Sequence, residues 1–259
     1  MGISFFQIDL LHAAHGDSLW IEYGTGTRKR RVLIDGGPIG QYAFLNAKME
    51  TLVDGDRSFE LVVLTHVDTD HVDGLVRLFA NKKADWKFDT KDVWFNGWKQ
   101  LETATLGGNQ GDFFSALINA RVGGAKWNKA FKGKPIVVPV SGPLPRVKLA
   151  DGLVITLLSP TVQKLKKMKS AWQKDVKAFA PGDLEAAWEA LAKQKKYLPN
   201  KTLLGSTPSL DAALEKQAKP DNSAANGSSI AFLAEFAGMR ALFLGDAHGD
   251  VVAESIKRL

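Results

Sequence analysis

The sequence predicts a mixed α/β fold, and three observations carry that prediction. Short runs rich in Val, Ile and Leu recur at both ends of the chain, bounded by Gly- and charge-rich turns. Segments with apolar residues at helical spacing lie between them. The 259 residues suffice for one large domain with a substantial core, and the apolar (45%) and charged (24%) fractions are those of an ordinary globular protein.

Residues 3–10, 18–23 and 31–35 read as strands, with Gly24-Thr25-Gly26-Thr27 turning the chain between the last two. Phe44, Leu45, Met49, Leu52 and Val53 give 42–53 the spacing of a helix, which Asp54-Gly55-Asp56 stops. The run Leu61-Val62-Val63-Leu64 marks a buried strand over 61–65, and a helix is expected over 72–80. Residues 93–95 read as a strand ending at Asn96-Gly97, 112–121 as a helix after a Gly-rich loop, and 136–140 and 153–158 as strands. Past Ser159-Pro160 the character changes. Helices are expected over 162–179, 184–197 and 210–218, broken at Pro181-Gly182, Pro199-Asn200 and Pro208, and 161–220 reads as a helical insertion within a single domain spanning 1–259. Trp172 and Trp188 are expected to pack it down, with base stacking as the alternative. Strands return at 229–236 and 240–244 around a tight turn at Gly238.

Composition excludes several chemistries. With no cysteine there is no disulfide, thiolate metal site or cysteine nucleophile. Ser18 follows Gly16-Asp17 and lacks a nucleophile elbow, and no phosphate-binding loop or dinucleotide fingerprint occurs. The first residues lack the pattern of a signal peptide, and no run reaches the roughly 18 apolar residues of a spanning helix, so a cytoplasmic protein without a membrane partner is expected. The net charge of +6 is concentrated in 161–220, where twelve lysines face six carboxylates. Such a lobe either attracts a polyanion or forms a solvated helical face.

The most telling segment is Leu64-Thr65-His66-Val67-Asp68-Thr69-Asp70-His71-Val72-Asp73-Gly74, which puts two imidazoles and two carboxylates within six residues after a buried strand. Both groups ligate divalent cations, and a strand-to-helix turn lets them converge. Asp68, Thr69 and Asp70 could also cap the helix, and Asp73 could be a first-turn residue favoured by the dipole or take part in catalysis.

This loop, with three further motifs, resembles the metallo-β-lactamase superfamily of metal hydrolases, whose signature is His-x-His-x-Asp-His after an apolar strand. Here Asp68 stands in place of the second His, which is similar to the branch holding the hydrolase domain of ComEC-type competence proteins. His15-Gly16-Asp17-Ser18, the strand ending at Asp35-Gly36-Gly37, and Leu242-Phe243-Leu244-Gly245-Asp246 resemble other motifs of that branch.

The resemblance implies a four-layer αββα sandwich carrying the Lys-rich insertion and lacking the last C-terminal strand. It implies two divalent metal ions, or one, with His66 and Asp68 on the first, Asp70 and His71 on the second and Asp246 bridging. Oxygen donors in place of imidazole turn the preference from zinc toward manganese or magnesium. Asp70 and His71 are the candidate catalytic residues. Asp35 is expected behind the ligands, bonded to an imidazole or the loop backbone, or else as a turn residue. His15 is a substrate contact or a structural histidine. Asn226 and Ser228 lie where the superfamily usually carries a His motif, as a weak ligand, a substrate contact or a turn. The superfamily's last His motif has no counterpart after Asp246, where only His248 could substitute. That leaves a truncated chain, a ligand from a homo-oligomer or partner chain, or a site holding one metal or none.

The function so implied is hydrolysis of phosphodiesters, nucleic acid included, by metal-activated water. The alternatives are a degenerate or partner-completed binding or regulatory module, and a hydrolase of esters, lactones or thioesters.

Overall fold

Strands whose two faces are both apolar organise the chain, because each face must be covered by a different layer. The structure, a computed structural model, describes residues 2–53, 56–81, 88–102, 109–175, 179–197 and 223–259. β1 (Ser4–Leu10), β2 (Leu19–Thr25) and β3 (Arg28–Ile34) run antiparallel, the last two joined by the two-residue turn Gly26-Thr27. Apart from β4 (Ser58–Phe59), which pairs with β6 (Asp89–Thr90), the sheet continues in parallel through β5 (Leu61–Val63) to β7 (Val93–Trp94). Parallel neighbours need crossovers, supplied by α1 (Tyr42–Glu50) and α2 (Thr69–Ala80). A second, antiparallel sheet contains β8 (Arg146–Lys148), β9 (Val154–Ser159), β10 (Ala231–Phe236) and β11 (Met239–Phe243) in the order β11-β10-β9-β8.

Alternation assigns the faces. Trp20, Leu33, Val62 and Val93 meet Leu45 and Met49 of α1, Val72, Leu75, Val76 and Phe79 of α2, and Phe113, Phe114 and Leu117 of α4 (Asn109–Leu117), which follows the short α3 (Trp98–Glu102). Ile21, Tyr23, Val32, Ile34, Val63 and Trp94 point the other way, onto Ile155, Leu157, Phe232, Ala234 and Phe243 of the second sheet. Trp94 meets Phe232 edge to face at 6.2 Å, and Tyr23 meets Phe236 at 5.2 Å. Each fully buried side chain of this size contributes roughly 1.5–3 kcal/mol, so the sheets are held face to face by a continuous apolar layer. The result is a mixed α/β sandwich.

The described part of the 161–220 segment packs into the helical core. Leu165, Met168 and Trp172 of α5 (Val162–Asp175), Ala187 and Leu191 of α6 (Leu184–Ala192), and Tyr197 are all buried there. Trp172 is fully buried and its indole N–H donates to Asp112 Oδ2 at 3.2 Å, so it packs and cannot stack on a base. Trp188 is partly exposed, with Arg121 over its ring at 5.6 Å. Asp73 ties the segment to α2: Tyr197 donates its hydroxyl to Oδ1 and Lys196 its ammonium to Oδ2 at 2.8 Å. This buried carboxylate is therefore a tether rather than a catalytic group.

Several elements differ from expectation. Residues 136–140 form no strand, only a bridge from Val138 to Thr161, because the Asn96 side chain takes both backbone groups of Ile136: its Oδ1 accepts the N–H at 2.8 Å and its Nδ2 donates to the C=O at 2.9 Å. Pro139, without an N–H, could not extend a ladder. The helix expected over 112–121 starts at Asn109 and widens to a π-turn over Ile118–Val122. The one expected over 184–197 ends at Ala192, with a 3₁₀ turn at Lys195–Tyr197, and the one at 210–218 lies outside the described residues. Two short helices close the list: α7 (Ala224–Gly227), and α8 (Gly249–Ile256), which the apolar spacing does not mark. α8 rests on β9 through Val251, Val252 and the Ser255 hydroxyl, which donates to the Leu158 carbonyl at 2.7 Å. Among the described residues no helix is long and apolar enough to cross a membrane.

Candidate metal centre

The site is assembled where β3 and β5 end side by side. Asp35, the first residue past β3, has a left-handed backbone (φ 56°) and is completely buried. Its N–H donates to the Val63 carbonyl, which continues the ladder, while its carboxylate reaches across to the loop after β5. Asp35 Oδ1 accepts the Thr65 N–H at 2.7 Å. Oδ2 accepts the Thr65 hydroxyl at 2.6 Å and faces His71 Nδ1 at 2.9 Å. Three donors on one buried carboxylate are what such a charge requires.

The same bonds fix both imidazoles. A carboxylate only accepts, so the Thr65 proton goes to Asp35 and Thr65 Oγ1 accepts from His66 Nδ1 at 3.0 Å. His66 Nε2 is then a lone pair, and it is buried with no hydrogen-bond partner. His71 likewise donates from Nδ1 to Asp35 and turns Nε2 outward. The two rings stand 4.2 Å apart, centroid to centroid. Asp246, just past β11, presents one oxygen to each: Oδ2 lies 3.9 Å from His66 Nε2, and Oδ1 3.7 Å from His71 Nε2. Asp68 Oδ2 approaches His66 Nε2 to 3.7 Å.

Close backbone packing makes this convergence possible. Gly36 N–H donates to the His71 carbonyl and Gly74 N–H to the Gly37 carbonyl, so the segment after β3 lies directly on α2. A Cβ on Gly74 would overlap the Gly36 carbonyl oxygen, and one on Gly36 would overlap the backbone of Leu75. Only glycine serves at that crossing.

The other expected site residues divide. Asp68 occupies the N-cap position of α2, yet its carboxylate makes no capping bond, which leaves it available to the site. Asp70 sits in the first turn of α2, half-buried, and stands outside the convergent groups. His15 is exposed and outside them too. Ser228 spends its hydroxyl on the Ala225 carbonyl at 2.6 Å and caps α7, of which Asn226 is a member. His248 is turned away: its ring lies against Gly227, and Lys164, a donor only, gives a proton to Nδ1 at 2.7 Å. Nε2 must then carry the hydrogen, so His248 is not presented as a ligand. One residue was missed. Asp17 joins Asp35 and His71 in a second acidic group, and burial, then the charges of Asp35 and Asp246, push its carboxyl above the usual range. Its place in the Gly16-Asp17-Ser18 motif ahead of β2 was the available signal.

The electrostatics suit a cation. Burial opposes charge on His71, yet the hydrogen bond and charge of Asp35, with Asp246 and Asp70 nearby, raise its pKa to about 9. Proton and cation thus compete for His71 Nε2, and loading a metal releases that proton. Of the two acidic groups, Asp17–Asp35–His71 is already occupied by internal hydrogen bonds, since Asp35 and His71 Nδ1 satisfy each other. His66–His71–Asp246 is the one with open donor atoms, all within 4.8 Å of one another. Ligands about 2.1 Å from a tetrahedral cation stand about 3.4 Å apart, so imidazole-to-carboxylate separations of 3.7–3.9 Å, with the three donor atoms within 4.8 Å of one another, must close further to hold one. No protein-family profile matches the chain, and no curated protein is detectably similar to it.

Proposed function

We propose that the chain is a metal-dependent hydrolase of the metallo-β-lactamase sandwich type, acting on phosphodiesters. The observation that carries this reading is the buried lone pair of His66 Nε2, oriented by Thr65 and aimed with His71 toward Asp246. An unpartnered nitrogen in that position costs stability unless it serves a ligand. Helices covering one face of the first sheet, a second sheet on the other and α8 against β9 support the four-layer arrangement.

His66, His71 and Asp246 hold the cation, and Asp68 joins from the His66 side. Were two ions held, His66 and Asp68 would serve one and His71 and Asp70 the other, with Asp246 offering an oxygen to each side. Two nitrogens with two or three oxygens suit zinc or manganese. Such an ion, when bound, supplies Lewis acidity and water of lowered pKa. The chain's own residues do the rest. Asp35 and Thr65 keep both Nδ1 atoms protonated, so that Nε2 is always the nitrogen offered. Asp70, at the site's edge, orients water or takes up its proton. Lys164, Lys169 and Lys196 already have partners in His248 and Asp250, Trp98, and Asp73, so the basic segment's role toward a polyanion falls to its remaining lysines.

Native mass spectrometry after equilibration with manganese or zinc, alongside turnover of bis(4-nitrophenyl) phosphate, tests this. The parent is expected to hold one or two ions and to turn over, and Asp246→Ala to lose at least one ion and all turnover. A parent that binds no ion, or an Asp246→Ala variant with parental turnover, overturns the proposal.

A further inference from the structure

The outer face of the second sheet is covered by α8 only in part. α8 lies over β9 at Leu158, and strand register fixes what the rest of that face presents. Arg146, Thr156, Leu233 and Leu242 pair in succession from β8 to β11, and Lys148, Val154, Glu235 and Arg240 form the next row. Val147, Ile155, Phe232, Ala234 and Phe243 alternate with them and point the other way, onto the core between the sheets. The centre of the outer face is apolar: Val154 and Leu233 are half-buried, and Leu242 is 48% exposed. Its two borders are cationic, with Arg146 and Lys148 on β8 and Arg240 on β11. The last residues of the α8 segment, Arg258 and Leu259, wall off a groove of about 470 Å³ over this face.

We infer that this groove docks an acidic amphipathic helix of a partner protein. None of its residues belongs to the metal centre, so the inference stands apart from the hydrolase reading. Three strand spacings of ~4.8 Å, about 14 Å, separate the cationic borders, which admits one helix of ~10–12 Å diameter. A helix there lies beside α8 and extends the outer layer, its apolar stripe on Val154, Leu233 and Leu242. Carboxylates on both flanks of that stripe meet the borders. The charge balance calls for them, because four cations, Arg146, Lys148, Arg240 and Arg258, stand around the single carboxylate of Glu235. Glu235 takes Nη2 of Arg146 at 3.5 Å and Nε of Arg240 at 2.9 Å. Both Nη groups of Arg240 stay open to a bidentate carboxylate, and Lys148 has no ion partner among the described residues. Arg258 is held by the neutral carbonyls of Pro139 and Gly142, which leave its charge intact. The same features disfavour other occupants. A second copy of the chain, with its net charge of +6, brings no excess of carboxylates. A nucleic-acid strand would set phosphates over the apolar centre and Glu235, and a flat bilayer does not enter a groove.

Fluorescence anisotropy with labelled synthetic helical peptides of about sixteen residues tests this on the full chain in chelator. The first peptide carries a leucine stripe flanked by glutamates, the second has lysine for each glutamate, and the third has serine for each leucine. The first is expected to bind at least about tenfold more tightly than either control, and to weaken as salt is raised. Lys148→Glu and Leu242→Glu alter exposed side chains, and each is expected to weaken binding at least about fivefold with an unchanged circular dichroism spectrum. Joint replacement Lys166→Glu and Lys167→Glu, on the exposed side of α5, is expected to leave binding unchanged, which separates docking in the groove from attraction to any basic surface. Equal affinities for the three peptides, parental binding by both groove variants, or an equal loss in the α5 variant overturns the inference. Tighter binding of oligothymidylate or phosphatidylserine vesicles, lost in the same two groove variants, also overturns it and assigns the face to nucleic acid or membrane.

Discussion

Asp35 and Thr65 are joined twice, through the Thr65 N–H to Oδ1 and the Thr65 hydroxyl to Oδ2. That double bond between the ends of β3 and β5 sets which nitrogen of His66 faces the site. Thr65→Val keeps the shape and removes the hydroxyl relay. Metal affinity is expected to fall about 10–100-fold, as for other losses of a ligand's outer partner, with stability reduced by about 1–2 kcal/mol. Competition with a chromogenic chelator measures the first, and urea unfolding of the metal-free protein the second.

Asp112 in α4 is fully buried and bonded to the Trp172 indole and the Gly182 N–H, and desolvation raises its carboxyl to about 7. An unfolded Asp ionises near 3.9. The folded state therefore holds its proton longer, and stability falls as pH rises from about 4 toward 7, then levels off. The slope approaches roughly 1.4 kcal/mol per pH unit at most. Thermal midpoints of the parent should drop across that window, and Asp112→Asn should remove this component. An unchanged slope in the variant would show that another group is responsible.

The crossing of Gly36 and Gly74 predicts a severe defect from a single methyl. Gly74→Ala, a favourable change in an ordinary helix, is expected to cost roughly 2–4 kcal/mol here because α2 must move off the segment after β3. A denaturation midpoint equal to that of the parent would contradict the close packing.

Tyr197→Phe removes the hydroxyl on buried Asp73 and leaves Lys196 as its only described partner. A loss of about 1–3 kcal/mol is expected, the range for stripping a bond from a buried charge. Hydrogen exchange should show the faster opening in α6 and at Lys195–Tyr197, with β2 and β3 unaffected. Uniform loss across both regions would mean that the segment is not a separately tethered unit.

What was legible in the sequence follows from how local each signal is. The strands around the metal loop could be read because Leu61-Val62-Val63-Leu64 is apolar on both faces and ends abruptly in polar residues. The convergence of His66 and His71 with Asp246 was expected from the resemblance alone, since β5 and β11 belong to different sheets and no strand pairing joins them. What failed was decided at a distance. Residues 136–140 have strand composition, but a side-chain amide 40 residues earlier takes the bonds a ladder would use. Asp73 looked like a helix-start residue because Lys196 and Tyr197 lie more than 120 residues later. His248 looked like a spare ligand until Lys164, from another helix, set its tautomer. Asp17 escaped notice because its role depends on neighbours from three other segments.

The amide of Asn96 has a companion in Asn128, whose Oδ1 accepts the Phe95 N–H at 2.9 Å and whose Nδ2 donates to the Phe95 carbonyl at 3.1 Å. β7 is the outermost strand of the first sheet, and just beyond its end the Asn128 side chain acts as a counterfeit neighbour. An incoming strand would find the backbone of Phe95 already taken by groups that cannot propagate a ladder. The sheet is thereby sealed against self-templated growth on the flank where β7 would otherwise offer an adhesive margin. One asparagine thus guards against aggregation, at a place where composition alone would forecast stickiness.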